Sequence, residues 1–564
     1  MDNRRLFLFT ALVFVAFLIY QAWMRDYGPK PAVPPLQTSA TSTAPAPGGS
    51  AVPAASNVGT APIPASASAI LPPKGRRIHV RTDVLDVVIN TIGGDIRQAE
   101  LLKYPIELKT PTALVKVLNT DNATLLIAQS GLQTLSGPDA PGYQTLYTAS
   151  RTRYSLAPGE KTLAVSLTWK GPRGLEVEKT YTFTRGSYQV DMHYRVQNRA
   201  GEPWKGAEYV QFENHYVPES HSLFSAHRYD YQRVAVHGVG GYRQYEFGDL
   251  AETPVNMTTP GGWTAVVDHY FLAAVIPEDR QQARNAAENR YYSKSLGDSR
   301  FLAGTITSVK TVMPSTTGVF ADTFYIGPKL QTRLAHVAPG LELTVDYGKL
   351  TIISEPIFKL LNFIHRFIGN WGWSILILTL LFKLAFFPLN QISGRSMAKM
   401  RRVQPRIKAL QERYKDDKQH LSQAMMELYK KEKINPMSGC LPMIVQMPIF
   451  FALYYVLVYS VELRQSPWIG WIHDLSAPDP YYILPVAYAI VMFIQFQVNP
   501  QPTTDKIQRR VMMVMPLALG VLYAFLPSGL ALYYVANSII SIGQQWHINR
   551  IIQRENRKLA VKSG

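Results

Sequence analysis

Hydrophobic positions follow two different periods along this chain, and the change between them divides it. Leu163, Val165, Leu167 and Trp169 alternate with Ala164, Ser166, Thr168 and Lys170. After Gly171-Pro172-Arg173-Gly174 the period of two resumes in Leu175, Val177, Tyr181 and Phe183. Arg185-Gly186-Ser187 turns the chain again, and Tyr188, Val190, Met192, Tyr194 and Val196 continue the pattern. Residues two apart share one face of a strand, so this is a meander with one face buried. Extended over residues 76–346, the pattern predicts a large antiparallel β-sandwich domain.

Past residue 350 the period lengthens. Ile357, Leu360, Leu361, Ile364, Phe367 and Ile368 recur at helical spacing opposite Lys359, Asn362 and Arg366, predicting an amphipathic helix over 350–369. It reads as a helix lying in a membrane interface, and a soluble helix capping the β region is the alternative. Near-continuous apolar runs follow at 371–389, 441–461, 481–498, 511–526 and 530–546, of spanning or near-spanning length. Pro442, Pro448, Pro485 and Pro516 fall at or within them, which membrane helices tolerate where neighbours re-satisfy the backbone. A further run at 6–24 is preceded by Arg4 and Arg5 and ends in Tyr20 and Trp23 rather than a small-residue cleavage site. We read residues 1–26 as an uncleaved anchor rather than a signal peptide. Residues 27–75, rich in Pro, Ala, Ser and Thr, form a flexible linker. The expected fold is thus a polytopic α-helical membrane protein with six transmembrane helices and a β-sandwich domain.

Charge supplies the orientation. The formal net charge of +18 over 564 residues would suit a nucleic-acid binder, but the basic residues gather beside the apolar runs. Arg395, Lys399, Arg401, Arg402, Arg406, Lys408 and Arg413 lie between the second and third spans, Lys506, Arg509 and Arg510 between the fourth and fifth, and Arg554, Arg557 and Lys558 in the tail at 551–564. Acidic Glu462, Asp474 and Asp479 mark the loop after the third span. By the positive-inside rule both termini are cytoplasmic and the β domain lies on the opposite, periplasmic side. The single cysteine, Cys440, permits no internal disulfide. No phosphate-cradling loop occurs, and His215, His221 and His227 match no compact ligand motif, so neither cofactor nor metal is expected and the chain reads as no enzyme.

Lys383 stands within an apolar run, where a charge costs roughly 2.5–3.5 kcal/mol on insertion scales and marks a functional interior. Snorkelling to nearby headgroups is the competing reading. Thr379 lies four residues earlier on the same helical face. Gln446, Gln495, Asn537, Ser538 and Ser541 occupy other spans. Singly each is an ordinary interhelical hydrogen-bonding residue; together with the lysine they outline a wet, cationic groove that binds and does not cut. In the basic loop, Met397, Met400, Ile407, Leu410 and Tyr414 form one stripe and Leu421, Met425 and Leu428 another. This predicts a cytoplasmic helical hairpin at 395–434, with Met397, Met400, Met425, Arg401, Arg402 and Arg406 as candidates for docking.

Residues 435–455 (NPMSGCLPMIVQMPIFFALYY), 461–465 (VELRQ), 471–475 (WIHDL) and 525–534 (FLPSGLALYY) closely resemble the YidC/Oxa/Alb insertase family, in order, over about 356–550. The anchor, linker and β domain resemble the family's Gram-negative form, whose periplasmic domain is a β-supersandwich. The resemblance implies a five-helix core, here 370–550, with a groove open to lipid and cytoplasm. It places the family's groove arginine on Lys383, which keeps the charge but loses the bidentate fork. It places Thr379 and Tyr534 on the substrate path. It also implies nascent membrane proteins, the Sec translocon, ribosome and signal recognition machinery and membrane lipids as partners, with no small-molecule substrate. The competing classes are a solute transporter or channel, against which the lack of an internal repeat weighs, and a scaffold for the secretion channel.

Overall fold

The computed structural model describes residues 75–216, 232–277, 288–414, 417–432, 441–498 and 506–563. The expected anchor and nearly all of the linker, with His221, His227 and Cys440, lie outside these. The described residues group into two compact units: one runs to Thr351 and includes Val458–Gln465, the other comprises Ile352–Leu457 and the chain from Ser466 onward.

The first unit is a sandwich of an eleven-stranded and a nine-stranded sheet. The meander forms as its period of two requires. Strands Thr162–Lys170, Leu175–Thr184 and Gln189–Asn198 pair antiparallel in register, Lys170 opposite Glu176 and Val190 opposite Phe183. In the other sheet Trp204–His215 lies between Leu126–Ser136 and Arg300–Ile306. One pairing departs from the antiparallel expectation: Arg77–Arg81 runs parallel to the three-residue strand Arg153–Ser155. A strand that short, reached by a long connection, can join an edge in either direction.

The buried faces of the two sheets meet. Trp204 packs edge-on to Phe320 and Phe212 to Phe324. Each such buried aromatic contributes about 1.5–3 kcal/mol from area alone. The interior is also polar. Within Leu175–Thr184 the inward phase Leu175, Val177, Tyr181 and Phe183 includes Lys179, which is fully buried. Its Nζ donates to Gly93 O at 2.9 Å, and Tyr181 OH donates to Gly94 O at 2.7 Å. Gly93 and Gly94 both take positive φ, +71° and +63°, a turn that glycine makes without steric cost. Val458–Gln465 is clasped into this unit: Arg464 donates to Pro105 O and Ile106 O, Gln465 donates to the same carbonyls, and Gln331 N donates to Glu462 Oε1 at 3.0 Å. Gln331 opens helix α1 (Gln331–Val337).

The second unit is helical: α2 (Thr351–Ile368), α3 (Trp371–Ala385), α4 (Phe387–Arg413), α5 (Lys418–Lys431), α6 (Leu441–Tyr459), α7 (Ile483–Val498), α8 (Lys506–Tyr523) and α9 (Ser528–Ser563). In α2 the inner stripe is Ser354, Ile357, Phe358, Leu361 and Ile364, while Phe363 and Phe367 are exposed. The run expected at 371–389 is not one helix. It stops at Ala385 and bends by 59° into α4, because Pro388 has no N–H to continue the ladder and fits a helix's first turn. Asp479 starts α7, accepting from Trp471 Nε1, Tyr481 N and Leu484 N. Among the described residues no single helix is both long and apolar enough to cross a membrane alone. The bent pair α3–α4 passes that test, and Ile444–Tyr459, Ile483–Gln497 and Val514–Tyr523 are shorter apolar helices.

Candidate functional site

Lys383 lies in the last turn of α3 with its side chain buried. Its Nζ donates to Ser541 Oγ on α9 at 2.7 Å, and Ser541 donates to Asn537 O at 2.7 Å. Among the described residues no carboxylate pairs with this ammonium, which is held by a single neutral hydroxyl. An ammonium has three donors, so hydrogen-bonding capacity remains for another acceptor. Thr379, fully buried one turn earlier on α3, spends its hydroxyl on Ile375 O within its own helix.

Gln446 and Tyr534 belong to a second, aromatic group. Gln446 on α6 donates to Tyr533 OH rather than to Tyr534. Tyr534 packs against Phe450 and Tyr523 at centroid distances of 5.2 and 4.9 Å, with Tyr488 at 5.9 Å. Gln495 points a buried Oε1 with no hydrogen-bond partner among the described residues. One helix supplies both groups: Tyr533, Asn537, Ser541 and Gln544 recur three or four apart along α9, hence on one face. The polar residues expected together are therefore split into a lysine–hydroxyl cluster and a tyrosine cluster along one helical stripe. Sequence reasoning missed Asn390, Gln544, Tyr488, Tyr523 and Tyr533. The signal was available for Gln544, which extends the Asn537–Ser541 spacing by one turn.

The hairpin forms from α4 and α5, with Asp417 capping α5 through the N–H groups of Gln419 and His420. Its methionine stripe is largely used internally. Met400 packs on Val403 and Ile407, as do Met425, Leu428 and Tyr429 from α5. Met397 and Arg401 are half-buried, Arg402 is exposed, and Arg406 pairs with Glu432. Met426, not singled out from the sequence, is the exposed methionine here. His215 meets the carbonyl of Asn122, and the described residues contain no group of three or more potential metal ligands.

A β-sandwich is thus joined in one chain to an apolar helical unit that carries a buried lysine held by one hydroxyl. Residues 77–360 match the family described as YidC periplasmic domain, and residues 363–556 the family described as 60Kd inner membrane protein. The "Membrane protein insertase YidC" of Nitrosococcus oceani is 45% identical over 559 residues, covering 98% of this chain and 100% of the relative. The protein of the same name from Thioalkalivibrio sulfidiphilus is 43% identical over 575 residues, covering 99% and 100%. A crystal structure described as an active YidC insertase with its first transmembrane domain resolved covers 84% of this chain and 94% of its own, at 19% identity and a TM-score of 0.37. The chain belongs to the YidC family of membrane protein insertases.

Proposed function

We propose that this chain integrates newly made proteins into the inner membrane through a hydrophilic, positively charged groove, and that Lys383 is its principal contact for polar or acidic substrate tails. The observation that carries this reading is the buried ammonium that meets one hydroxyl and, among the described residues, no carboxylate. An acidic tail near Lys383 loses less on leaving water than it would in hydrocarbon, because opposite charges attract strongly where the dielectric is low. The following apolar segment then partitions into lipid, and its burial drives the step. In this arrangement the anchor and the five apolar runs make six spans, with both termini cytoplasmic and the β unit periplasmic, as the lysine and arginine distribution supports. The hairpin docks nascent chains, the ribosome or signal recognition machinery through Met426 and Arg402, and the Sec translocon shares larger substrates.

The test is reconstitution. Purified protein in liposomes, with a small single-span substrate and no other translocon, should give a protease-protected substrate. Failure to protect it while solute flux is observed would favour a transporter or channel instead.

A further inference from the structure

Where α3 ends, its last carbonyls lose the main-chain donors that a continuing helix would supply. Ala385 is its final residue, and Pro388, in the first turn of α4, has no N–H to offer Leu384 O. The Lys383 carbonyl, whose donor four residues on would be Phe387 at the start of α4, accepts from α9: Gln544 Nε2 donates to Lys383 O at 2.9 Å. Asn390 Nδ2, one turn into α4, donates to Gln544 Oε1 at 3.2 Å. This orientation of the amide is self-consistent. A carbonyl only accepts, so Gln544 must turn its amino group to Lys383 and leave its oxygen for Asn390. One side chain of α9 thereby ties both arms of the 59° bend. Three residues earlier on α9, Ser541 takes the ammonium. The main chain and the side chain of one lysine are thus gripped by the same helix.

We propose that Gln544, oriented by Asn390, is a positioning residue for Lys383: it fixes the bend between α3 and α4 and so the direction in which the ammonium leaves the helix. This rests on the reading of Lys383 as the contact for substrate tails. Without the amide, the Lys383 carbonyl seeks another donor, the bend relaxes, and the ammonium is presented in several orientations rather than one.

The test uses the full-length chain in liposomes and two single-span substrates that differ only in a tail carrying two Asp or two Asn residues. Gln544→Leu should slow insertion of the acidic-tailed substrate about five-fold, the loss of one hydrogen bond, and leave the neutral-tailed one within about two-fold. Asn390→Ala should move the same ratio in the same direction by about two-fold, and it decides the matter if Gln544→Leu does not accumulate folded protein. Lys383→Met is the reference, and the double variant Lys383→Met with Gln544→Leu should be no slower on the acidic tail than Lys383→Met alone. Equal losses on both tails, or losses that multiply in the double variant, would make Gln544 a packing residue and overturn the proposal. If Lys383→Met discriminates the tails while the Gln544 and Asn390 variants do not, the positioning role alone fails. If Lys383→Met does not discriminate them, the reading of the lysine fails as well.

Discussion

Lys179 and Lys383 are both buried, and the two units of the molecule treat them in opposite ways. In the sandwich, Lys179 donates to Gly93 O and lies 5.2–6.0 Å from the ring centroids of Tyr147, Tyr181 and Tyr194. Its burial lowers it to about 8, with Asp95 and Glu208 working against that fall. Burial lifts Asp95 to about 6, against the pull of Arg97 and Lys179. All of these partners belong to the sandwich itself, and two of them are carboxylates. Lys383 meets one hydroxyl. A charge that its own fold leaves partly uncompensated is available to something outside the fold. Burial alone therefore does not separate the two lysines; the proposed role of Lys383 rests on its having no carboxylate partner among the described residues.

The sharpest way to break this contrast is to reverse the charge in the helical unit. Lys383→Glu is expected to reduce insertion of an acidic-tailed substrate by at least roughly a thousand-fold, since losing a unit pair at about 4 Å and an effective dielectric near 20 costs about 4 kcal/mol and the new repulsion adds to it. Insertion in liposomes measures it, and an unchanged rate would place the lysine among structural charges. The matching change in the sandwich is Asp95→Asn, which leaves Lys179 with its charge less compensated. It is expected to cost about 3–5 kcal/mol of sandwich stability, read by denaturant unfolding, while substrate-tail selectivity stays as in the parent.

Glu462 extends the comparison to pH. It lies in the segment clasped into the β unit, where burial lifts its carboxyl from 4.5 to about 7 against the opposing hydrogen bond from Gln331 N. Between those values the folded protein holds a proton that the unfolded chain has released. Its contribution is fully present below pH 4.5 and is lost as pH rises through 7, a change on the order of 3 kcal/mol. Unfolding of the full chain in detergent should show that slope, and Glu462→Gln should flatten it. A variant with the parent slope would assign the pH dependence to other groups.

What the sequence made legible follows from which rules act locally. The meander was readable because two-residue alternation and glycine turns are properties of adjacent residues, and the observed register repeats them. Lys179 shows the limit. The alternation that places Val177 and Tyr181 inside also places Lys179 inside, yet a charged residue invites an outward assignment because its partners lie 86 residues away at Gly93 and in Asp95. The end of α3 was missed for the opposite reason, since the local signal of Pro388 was overridden by a long apolar run. At the candidate site, Lys383 and Ser541 were both legible as polar residues in apolar helices. Their 2.7 Å contact depends on how α3 packs on α9, which no local pattern encodes. The methionine stripes of the hairpin were legible as stripes, but a stripe alone does not say whether it faces a partner or its own neighbouring helix, and here Met400 and Met425 both pack on Val403 and Ile407.

The smallest expected effect is the most discriminating one, because a single conservative change is made in both units. Lys383→Arg should leave insertion of an acidic-tailed substrate within about two-fold of the parent, since the proposed contact needs a positive charge with donors to spare and guanidinium can offer a carboxylate two parallel bonds where ammonium offers one. Lys179→Arg should instead cost about 1–3 kcal/mol of sandwich stability, because a larger planar head must be fitted where the fully buried lysine lies beside Gly94 and three tyrosine rings. Thermal unfolding and the liposome assay on the two variants give a crossed result if the contrast holds: selectivity kept at 383, stability lost at 179. Equal tolerance at both positions would mean that the sandwich site is as open as the helical one, and loss of insertion with Lys383→Arg would mean that the contact at 383 is set by shape rather than by charge.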